Sequence, residues 1–182
     1  MMNAFETLGI EPRLVLSEEA VRDAFREAGK LAHPDAGGAE ESFAKLREAY
    51  GIVSSPSRRL RHWLELRGLT AEARGTVDAA IMDLFTHVGQ TSQRAEALVR
   101  KRDQTISVLA RALLERETQS CREDVERAIM MVEDAISRQC AWFPDYENAP
   151  TPDQAAASIT ARNLAFLEKW RATLRGVFSR LV

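Results

Sequence analysis

Apolar residues recur every three or four positions along most of the chain, which is the spacing of amphipathic helices. No stretch alternates between apolar and polar residues in the way that is typical of a half-buried strand. Ser17 is a suitable N-cap for a helix that ends before Pro34, because the residue preceding a proline avoids the helical conformation. A short helix is predicted to begin after Asn3 and to end at Gly9. Two further helices are predicted from EESFAKLREAYGIV and RRLRHWLELRG.

Beyond the segment RGLTAEARG, the pattern predicts three longer helices that pack as an antiparallel bundle. The first is expected over Val77–Glu117, with Gly89 as the candidate break point, and the second over Arg122–Phe143. A loop over PDYENAPTPD, which contains three prolines, precedes the last helix. In that helix apolar residues repeat with a period near seven. The residues of the first helix expected to face inward are Leu98, Ile106, Leu109 and Leu113.

Composition and charge are those of an ordinary globular protein. Of the 182 residues, 45% are hydrophobic and 29% charged, and the formal net charge is -2. Composition alone therefore gives no reason to expect nucleic acid or a membrane as a partner. No apolar run approaches the roughly 18 residues of a membrane span, and the N-terminus lacks the features of a secretory signal. Cys121 and Cys140 have no CxxC partner, so we expect no metal site, no cofactor and a reducing, cytoplasmic location.

The tripeptide His33-Pro34-Asp35, between two predicted helices, is the first candidate for a function. Taken alone, it admits three interpretations. A neighbouring His and Asp can belong to a hydrolytic site, but no nucleophile motif such as G-x-S-x-G accompanies them. A metal site needs further ligands, and His62 and His87 do not stand at ligand spacing. In the third interpretation, which the tripeptide alone favours, Pro34 stops a helix and Asp35 caps the turn.

The surroundings of the tripeptide resemble the J-domain of the DnaJ co-chaperone family. A helix with a basic edge precedes it, and a glycine-rich loop follows it. The next helix reads FAKLREAYGIVSSPSRR, which is similar to the family's ending of Ala-Tyr, apolar residues, Ser-x-Pro and basic residues. Leu8 and Gly9 match the family's opening element, and the resemblance covers residues 3 to about 68. The positions that match in the second helix and after it are Ala49, Tyr50, Val53, Ser54, Pro56, Arg58 and Arg59.

By this resemblance, the His-Pro-Asp loop binds a DnaK-type chaperone ATPase and stimulates its ATP hydrolysis, and the J-protein itself is not an enzyme. Arg22, Arg26 and Lys30 recur at four-residue spacing and therefore line one face of the preceding helix. We expect this basic face to join the loop in a weak, charge-steered contact with the chaperone. Without the loop, the same three residues would be read as an ordinary solvated face.

The chain departs from the J-domain pattern mainly in charge. Ala32 and Ala36 stand where many J-domains have an aromatic residue and a lysine, and Glu27 occupies a commonly basic position. Residues 1–68 contain ten Lys and Arg against eleven Asp and Glu. This near-neutral balance points to weaker binding of a general chaperone or to a dedicated partner.

The domain junction and the helical C-terminal half contain three distinctive segments: RRLRHWLELRG, AAIMDLFTHVG and ARNLAFLEKW. The Gly/Phe-rich linker, zinc modules and β-sandwich domains of a typical DnaJ have no counterpart in this sequence. The three segments resemble instead the HscB family of J-type co-chaperones. HscB proteins act in iron–sulfur cluster assembly, where a three-helix bundle binds the scaffold IscU and delivers it to the chaperone HscA.

The HscB resemblance assigns a scaffold-binding patch to Ile81, Met82, Asp83 and Phe85 of the first bundle helix and to Phe166 of the last. Ile81, Met82 and Phe85 fall within about one helical turn, close enough to form one apolar patch. The alternative is that the apolar members belong to the bundle core. Phe166 also falls in the apolar heptad pattern of its helix.

The sequence thus predicts an all-α protein, with an N-terminal J-domain helical hairpin over residues 1–70 and a C-terminal three-helix bundle over residues 76–182. The predicted function is that of a co-chaperone that stimulates a DnaK- or HscA-type ATPase and presents an IscU-type scaffold. Thr86 and Gly89 stand where the HscB patch usually has Glu. An adaptor for an unrelated client is therefore the alternative function.

Overall fold

A computed structural model of the chain describes residues 2–32, 40–72 and 74–182. Within these ranges the regular structure is helical and no strand occurs, which confirms the all-α class. Two compact units can be distinguished, and each combines two stretches of the chain: Met1–Thr76 with Gln139–Ala165, and Val77–Arg138 with Phe166–Val182. The helices are α1 (Ala4–Thr7), α2 (Glu18–Ala32), α3 (Glu40–Ser54), α4 (Pro56–Glu65), α5 (Ala79–Gln104), α6 (Val108–Cys140), α7 (Phe143–Asn148) and α8 (Gln154–Leu181).

The short polar side chains at the starts of α1 and α2 act as N-caps, as the sequence predicts. Asn3 Oδ1 accepts a hydrogen bond from the backbone N–H of Phe5 at 3.1 Å, and Ser17 Oγ accepts one from Ala20 at 3.1 Å. These bonds satisfy backbone donors that the first helical turn leaves without a partner. Gly9 has a φ of 69°, a left-handed conformation that ends α1 and that glycine adopts without strain.

An antiparallel pair of helices, α2 and α3, forms the centre of the first unit. The ring of Phe25 lies 4.6 Å from that of Tyr50 and 6.5 Å from that of Phe43, measured between centroids. Below the pair, the backbone N–H of Ala4 donates to His62 Nε2 at 3.0 Å, which ties α1 to α4. The apolar side chains buried in this part of the unit include Phe5, Leu14, Val21, Leu46, Ala49, Val53, Leu60 and Leu64.

The N-terminal half of α8 holds the segment that follows α4. The buried guanidinium of Arg162 donates to the carbonyl oxygens of Glu72, Arg74 and Thr76 at 2.8, 2.9 and 3.2 Å. Ser158 Oγ accepts from the N–H of Glu72 at 3.1 Å. A buried cation would be costly without such partners, so the three carbonyls make this burial possible.

Helices α5, α6 and the C-terminal half of α8 form the second unit as three packed helices. Arg94 pairs with Asp124 at 2.7 Å and Lys101 with Glu117 at 3.0 Å, which shows that α5 runs antiparallel to α6. The last turn of α8 is covered by two arginines, whose guanidinium groups donate to the carbonyl oxygen of Leu181. Cations at this position complement the negative end of the helix dipole. The two are Arg102 and Arg122.

The break between the first two long helices was placed wrongly from the sequence. The predicted helix over Val77–Glu117 ends at Gln104, and α6 then runs without interruption to Cys140. Gly89 lies inside α5, because its cost of about 1 kcal/mol relative to Ala is too small to break a packed helix. The break occurs where Thr105 takes an extended conformation and donates from Oγ1 to the carbonyl of Lys101. Ser107 Oγ then accepts from the N–H of Ala110 at the start of α6.

Three side chains near this turn were also assigned wrongly to the interior. Leu98 is buried as expected, whereas Ile106, Leu109 and Leu113 are exposed. A further difference concerns the proline-rich loop, part of which is α7. Pro144 stands in the first turn of α7, where its missing N–H has no helical partner to lose.

Residues 139–165, which the sequence places in the C-terminal bundle, pack with the N-terminal unit. In that unit, Tyr146 shares a 2.9 Å hydrogen bond with Thr160 Oγ1, and the N–H of Leu14 donates to Glu147. Burial raises the pKa of the Tyr146 phenol, and the bond to Thr160 opposes this shift. The compact units are therefore not two consecutive pieces of the chain. The assignment of a J-domain to residues 1–70 and of a C-terminal bundle to residues 76–182 stays a prediction.

Replacing Gly89 with Ala is expected to raise the free energy of unfolding by about 1 kcal/mol. A Cβ at this position would meet no atom within 4 Å, so only the helix propensity changes. Urea unfolding followed by circular dichroism measures the effect. The matched control is Gly9→Ala, which should destabilise the protein because its φ is positive. A less stable Gly89→Ala protein would contradict the packing described for α5.

Candidate functional site

The two helices that flank residues 33–39 are held in register by their buried faces. Phe25 packs against Tyr50, and one turn further along α2, Gly29 lies against Leu46. Because the helices are antiparallel, the C-terminal end of α2 and the N-terminal end of α3 lie at the same end of the pair. His33, Pro34 and Asp35 lie outside the described residues, so their predicted role as the chaperone-binding loop remains a prediction.

The predicted basic face of α2 is exposed along its whole length. Arg22, Arg26 and Lys30 all lie on the solvent side of the helix, opposite the buried Val21 and the half-buried Phe25. This arrangement follows from the four-residue spacing, since every fourth residue stays on one side of a helix. The structure therefore presents the three cations together. Whether they bind a chaperone is not tested by their placement.

Two of the three cations are partly neutralised within α2. Arg26 pairs with Asp23, and Lys30 pairs with Glu27 at 2.6 Å, in both cases three residues apart. Arg22 forms no ion pair with a described residue. Exposed pairs of this kind contribute little to stability and exchange readily with water. Among the described residues, the face therefore combines one cation without an ion pair with two that can change partner.

The first turns of α3 carry a further exposed ion pair. Lys45 Nζ lies 2.8 Å from a carboxylate oxygen of Glu41. The hydrogen bond and the positive charge of Lys45 hold the pKa of the Glu41 carboxyl below its usual range. The C-terminal end of α2 and the N-terminal end of α3, which flank the predicted loop, thus each carry both positive and negative groups. This agrees with the near-neutral charge of residues 1–68.

The predicted scaffold-binding residues divide into an exposed group and one buried residue. Met82, Phe85 and Phe166 each expose between 43 and 52% of their surface, and Asp83 is exposed as well. Ile81 exposes only 4% and faces the interior of the second unit. Neighbouring residues on a helix differ by about 100° in direction, which separates Ile81 from Met82. The exposed patch thus consists of Met82, Phe85 and Phe166 with Asp83, and it does not include Ile81.

Trp170 connects the two phenylalanines of the patch. Its ring centroid lies 5.4 Å from that of Phe85 and 6.1 Å from that of Phe166, both in tilted orientations. Aromatic rings at these separations attract one another, and this contact joins α5 to α8. In the sequence, Trp170 belongs to the apolar heptad pattern of the last helix, which gives it no particular role. Its position four residues after Phe166 is the signal that it lies beside it.

Metal chemistry and thiol chemistry receive no support from the described side chains. No group of three or more His, Cys, Asp or Glu residues within the described ranges is placed to hold a metal ion. Neither cysteine forms a disulfide, and burial raises the pKa of the Cys121 thiol. Such a thiol stays protonated at neutral pH and is a poor nucleophile. No helix in the described part of the chain has the length and apolar character needed to cross a bilayer.

Residues 3–62 match the family model of the DnaJ domain. The tetratricopeptide repeat and J domain-containing co-chaperone DNJ1 of Cryptococcus neoformans is 48% identical over 58 residues, which are 32% of this chain and 11% of that protein. Chaperone protein DnaJ of Lacticaseibacillus casei is 40% identical over 58 residues, which are 30% of this chain and 14% of that protein. The chain therefore contains a DnaJ domain, although it spans only a small part of the length of these curated relatives.

The whole chain, and not only the J-domain, is similar in fold to a solved structure. Chaperone HscB from Vibrio cholerae superposes with a TM-score of 0.59 over 100% of both chains, at 20% sequence identity. At this identity the match shows the fold alone. The protein thus combines a DnaJ domain at its N-terminus with an HscB-like fold, as the sequence predicts.

Replacing Ile81 and Met82 with Ala one at a time should distinguish a buried residue from an exposed one by the loss of stability. Ile81→Ala is expected to lower the free energy of unfolding by about 2 kcal/mol or more, because it leaves a cavity under α5. Met82→Ala, at an exposed position, should change it by less than about 0.5 kcal/mol. Chemical denaturation of the two variants makes the comparison. Equal losses would show that the inward direction of Ile81 is wrong.

Proposed function

We propose that this protein is a J-type co-chaperone: its DnaJ domain stimulates the ATPase of a DnaK- or HscA-type chaperone, and its three-helix unit presents an IscU-type iron–sulfur scaffold. The observation that carries the proposal is the combination of a DnaJ domain at residues 3–62 with the HscB fold over the whole chain. A tetratricopeptide or zinc-module protein would share only the first of these two features.

The chaperone contact is attributed to the His-Pro-Asp loop together with the basic face of α2. Arg22, Arg26 and Lys30 are exposed and aligned, which supports a contact that begins with electrostatic attraction. Because Asp23 and Glu27 partly neutralise this face, the attraction is weak and is reduced further by salt. A weak contact suits a co-chaperone that must leave after each cycle of hydrolysis.

The scaffold contact is attributed to Met82, Phe85 and Phe166, with Asp83 at the edge of the patch. Three half-exposed apolar side chains on neighbouring helices form a surface that loses water favourably when a partner covers it. The methionine can adapt its shape to the partner, and Trp170 holds the two aromatic rings in place from below. Ile81 contributes by supporting α5 beneath the patch.

A second candidate, an adaptor for an unrelated client, is favoured by the loss of acidic residues around the patch. Thr86 and Gly89 occupy positions that are usually Glu in HscB proteins. Asp83 then remains as the one matching acid of this helix face. A scaffold that relies on several acidic contacts would bind this surface less well, whereas a mainly apolar client segment would not be affected.

The variant His33→Gln is expected to reduce chaperone ATP turnover to its unstimulated rate. The side chain keeps its polarity, but the imidazole that the proposed loop offers to the chaperone is lost. Steady-state phosphate release from a DnaK-type and an HscA-type chaperone measures the effect. Circular dichroism provides the control for folding, and Met130→Ser, at an exposed position of α6, is the matched control. Full stimulation by His33→Gln would overturn the chaperone assignment.

The double variant Met82→Ser/Phe85→Ser should weaken binding of an IscU-type scaffold by about tenfold or more, since it removes two apolar contacts from a small interface. Isothermal titration calorimetry gives the affinity, and ATPase stimulation without scaffold should stay at the wild-type level. Circular dichroism reports whether the helices of the variant are intact. Unchanged affinity with intact helices would remove these residues from the interface and favour the second candidate.

A further inference from the structure

The turn between α5 and α6 carries a second exposed apolar surface, which the proposed function does not use. Ile106, Val108, Leu109 and Leu113 each expose between 73 and 91% of their surface. Single exposed apolar residues are common, but four within eight positions of one turn are not. We call these four residues the apolar tip. Their exposure is higher than that of the patch around Phe85, where the rings partly cover one another.

The apolar tip protrudes because α6 begins beyond the end of α5. The ion pairs of Arg94 with Asp124 and of Lys101 with Glu117 show the register of the two antiparallel helices. In this register the last residue of α5, Gln104, lies opposite Leu114, which is buried. The first turns of α6 therefore extend past α5. Their side chains have no helix of the unit to pack against.

Basic side chains are concentrated immediately behind the apolar tip. Residues 100–116 contain five Lys and Arg against two Asp and Glu, although the whole chain carries a net charge of -2. Arg111 Nε donates to the carbonyl of Thr105 at 2.7 Å, which holds this cation at the turn. Arg100 and Lys101 keep most of their side chains in solvent even though each lies near a glutamate.

A protruding apolar end with cations behind it matches the interface of an anionic lipid bilayer. Apolar side chains gain by entering the acyl boundary, while Lys and Arg remain level with negatively charged headgroups. A second copy of the chain is a poorer fit, because four side chains at a turn cover far less area than a stable dimer interface requires. Side chains this exposed also do not line a groove that could receive a peptide helix.

We propose that the α5–α6 turn docks this protein reversibly on membranes that contain anionic lipid. Ile106, Val108, Leu109 and Leu113 enter the interface, and Arg100, Lys101, Arg111 and Arg116 contact the headgroups. The turn and Phe85 lie near opposite ends of α5, about 30 Å apart at 1.5 Å per residue. A bound membrane therefore leaves the patch on Met82, Phe85 and Phe166 accessible.

Sedimentation of the full chain with lipid vesicles tests this docking. The vesicles contain either phosphatidylcholine alone or equal parts of phosphatidylcholine and phosphatidylglycerol. We expect the wild-type protein to sediment with the anionic vesicles and not with the neutral ones, and added salt should reduce binding. No sedimentation with anionic vesicles at low salt would overturn the proposal.

The variant Ile106→Ser/Leu109→Ser should lower partitioning into anionic vesicles by about tenfold or more, because two side chains no longer enter the interface. Arg116→Glu should also weaken binding, through repulsion from the headgroups. Met130→Ser removes a comparably exposed apolar side chain elsewhere on α6 and should bind like wild type. All these positions are exposed, so unchanged circular dichroism is expected.

Equal binding by the double serine variant and the wild-type protein would overturn the proposal. Analytical ultracentrifugation tests the other candidate partner of the apolar tip, a second copy of the chain. A wild-type dimer that the double serine variant abolishes, together with no vesicle binding, would assign the apolar tip to self-association instead. Loss of vesicle binding should leave ATPase stimulation unchanged, so the result is independent of the proposed co-chaperone function.

Discussion

The packing of α2 against α3 is the contact on which the proposed function of the N-terminal unit depends. Phe25 lies between Tyr50 and Phe43, and the buried Val21 and Leu46 extend this apolar seam along the pair. Burying one face of α2 directs its opposite face to solvent, since the side chains of a helix repeat every 3.6 residues. The cations of that face are therefore presented to solvent together, as the proposed chaperone contact requires. The same seam places at one end of the pair the two helix ends that residues 33–39 connect.

Much of the fold could be predicted because local signals and the hydrophobic pattern agree. Asn3 and Ser17 cap helices where the sequence places caps, and Gly9 ends α1. The resemblance to a J-domain and to the HscB fold is also confirmed. These features depend on neighbouring residues or on a family motif, and both can be read from one sequence.

The predictions that were wrong concern side chains and helix ends whose placement depends on which other helix packs against them. Periodicity shows that Leu109 and Leu113 share a helix face, but it does not show that α5 ends before reaching them. The same limit applies to Ile81 and Met82, which are adjacent in sequence and differ in burial. The break at Thr105 was missed because its signal is a single side-chain bond to Lys101, whereas Gly89 has the stronger general tendency to interrupt a helix. Tertiary packing, absent from a single sequence, decides each of these cases.

The second unit carries two exposed apolar surfaces, near opposite ends of α5, that differ in their chemistry. Around Phe85 the surface is a small aromatic patch with Asp83 at its edge, and at the turn after Gln104 it is aliphatic with cations nearby. The net charge of the chain does not show this division.

In the proposed function, the two units act together on one chaperone. The measurement that tests this is the steady-state ATP turnover of an HscA-type and a DnaK-type chaperone, with the wild-type protein and with or without an IscU-type scaffold. Protein and scaffold together are expected to stimulate the HscA-type chaperone more than the sum of their separate effects. Absence of stimulation of either chaperone, with or without scaffold, would contradict it.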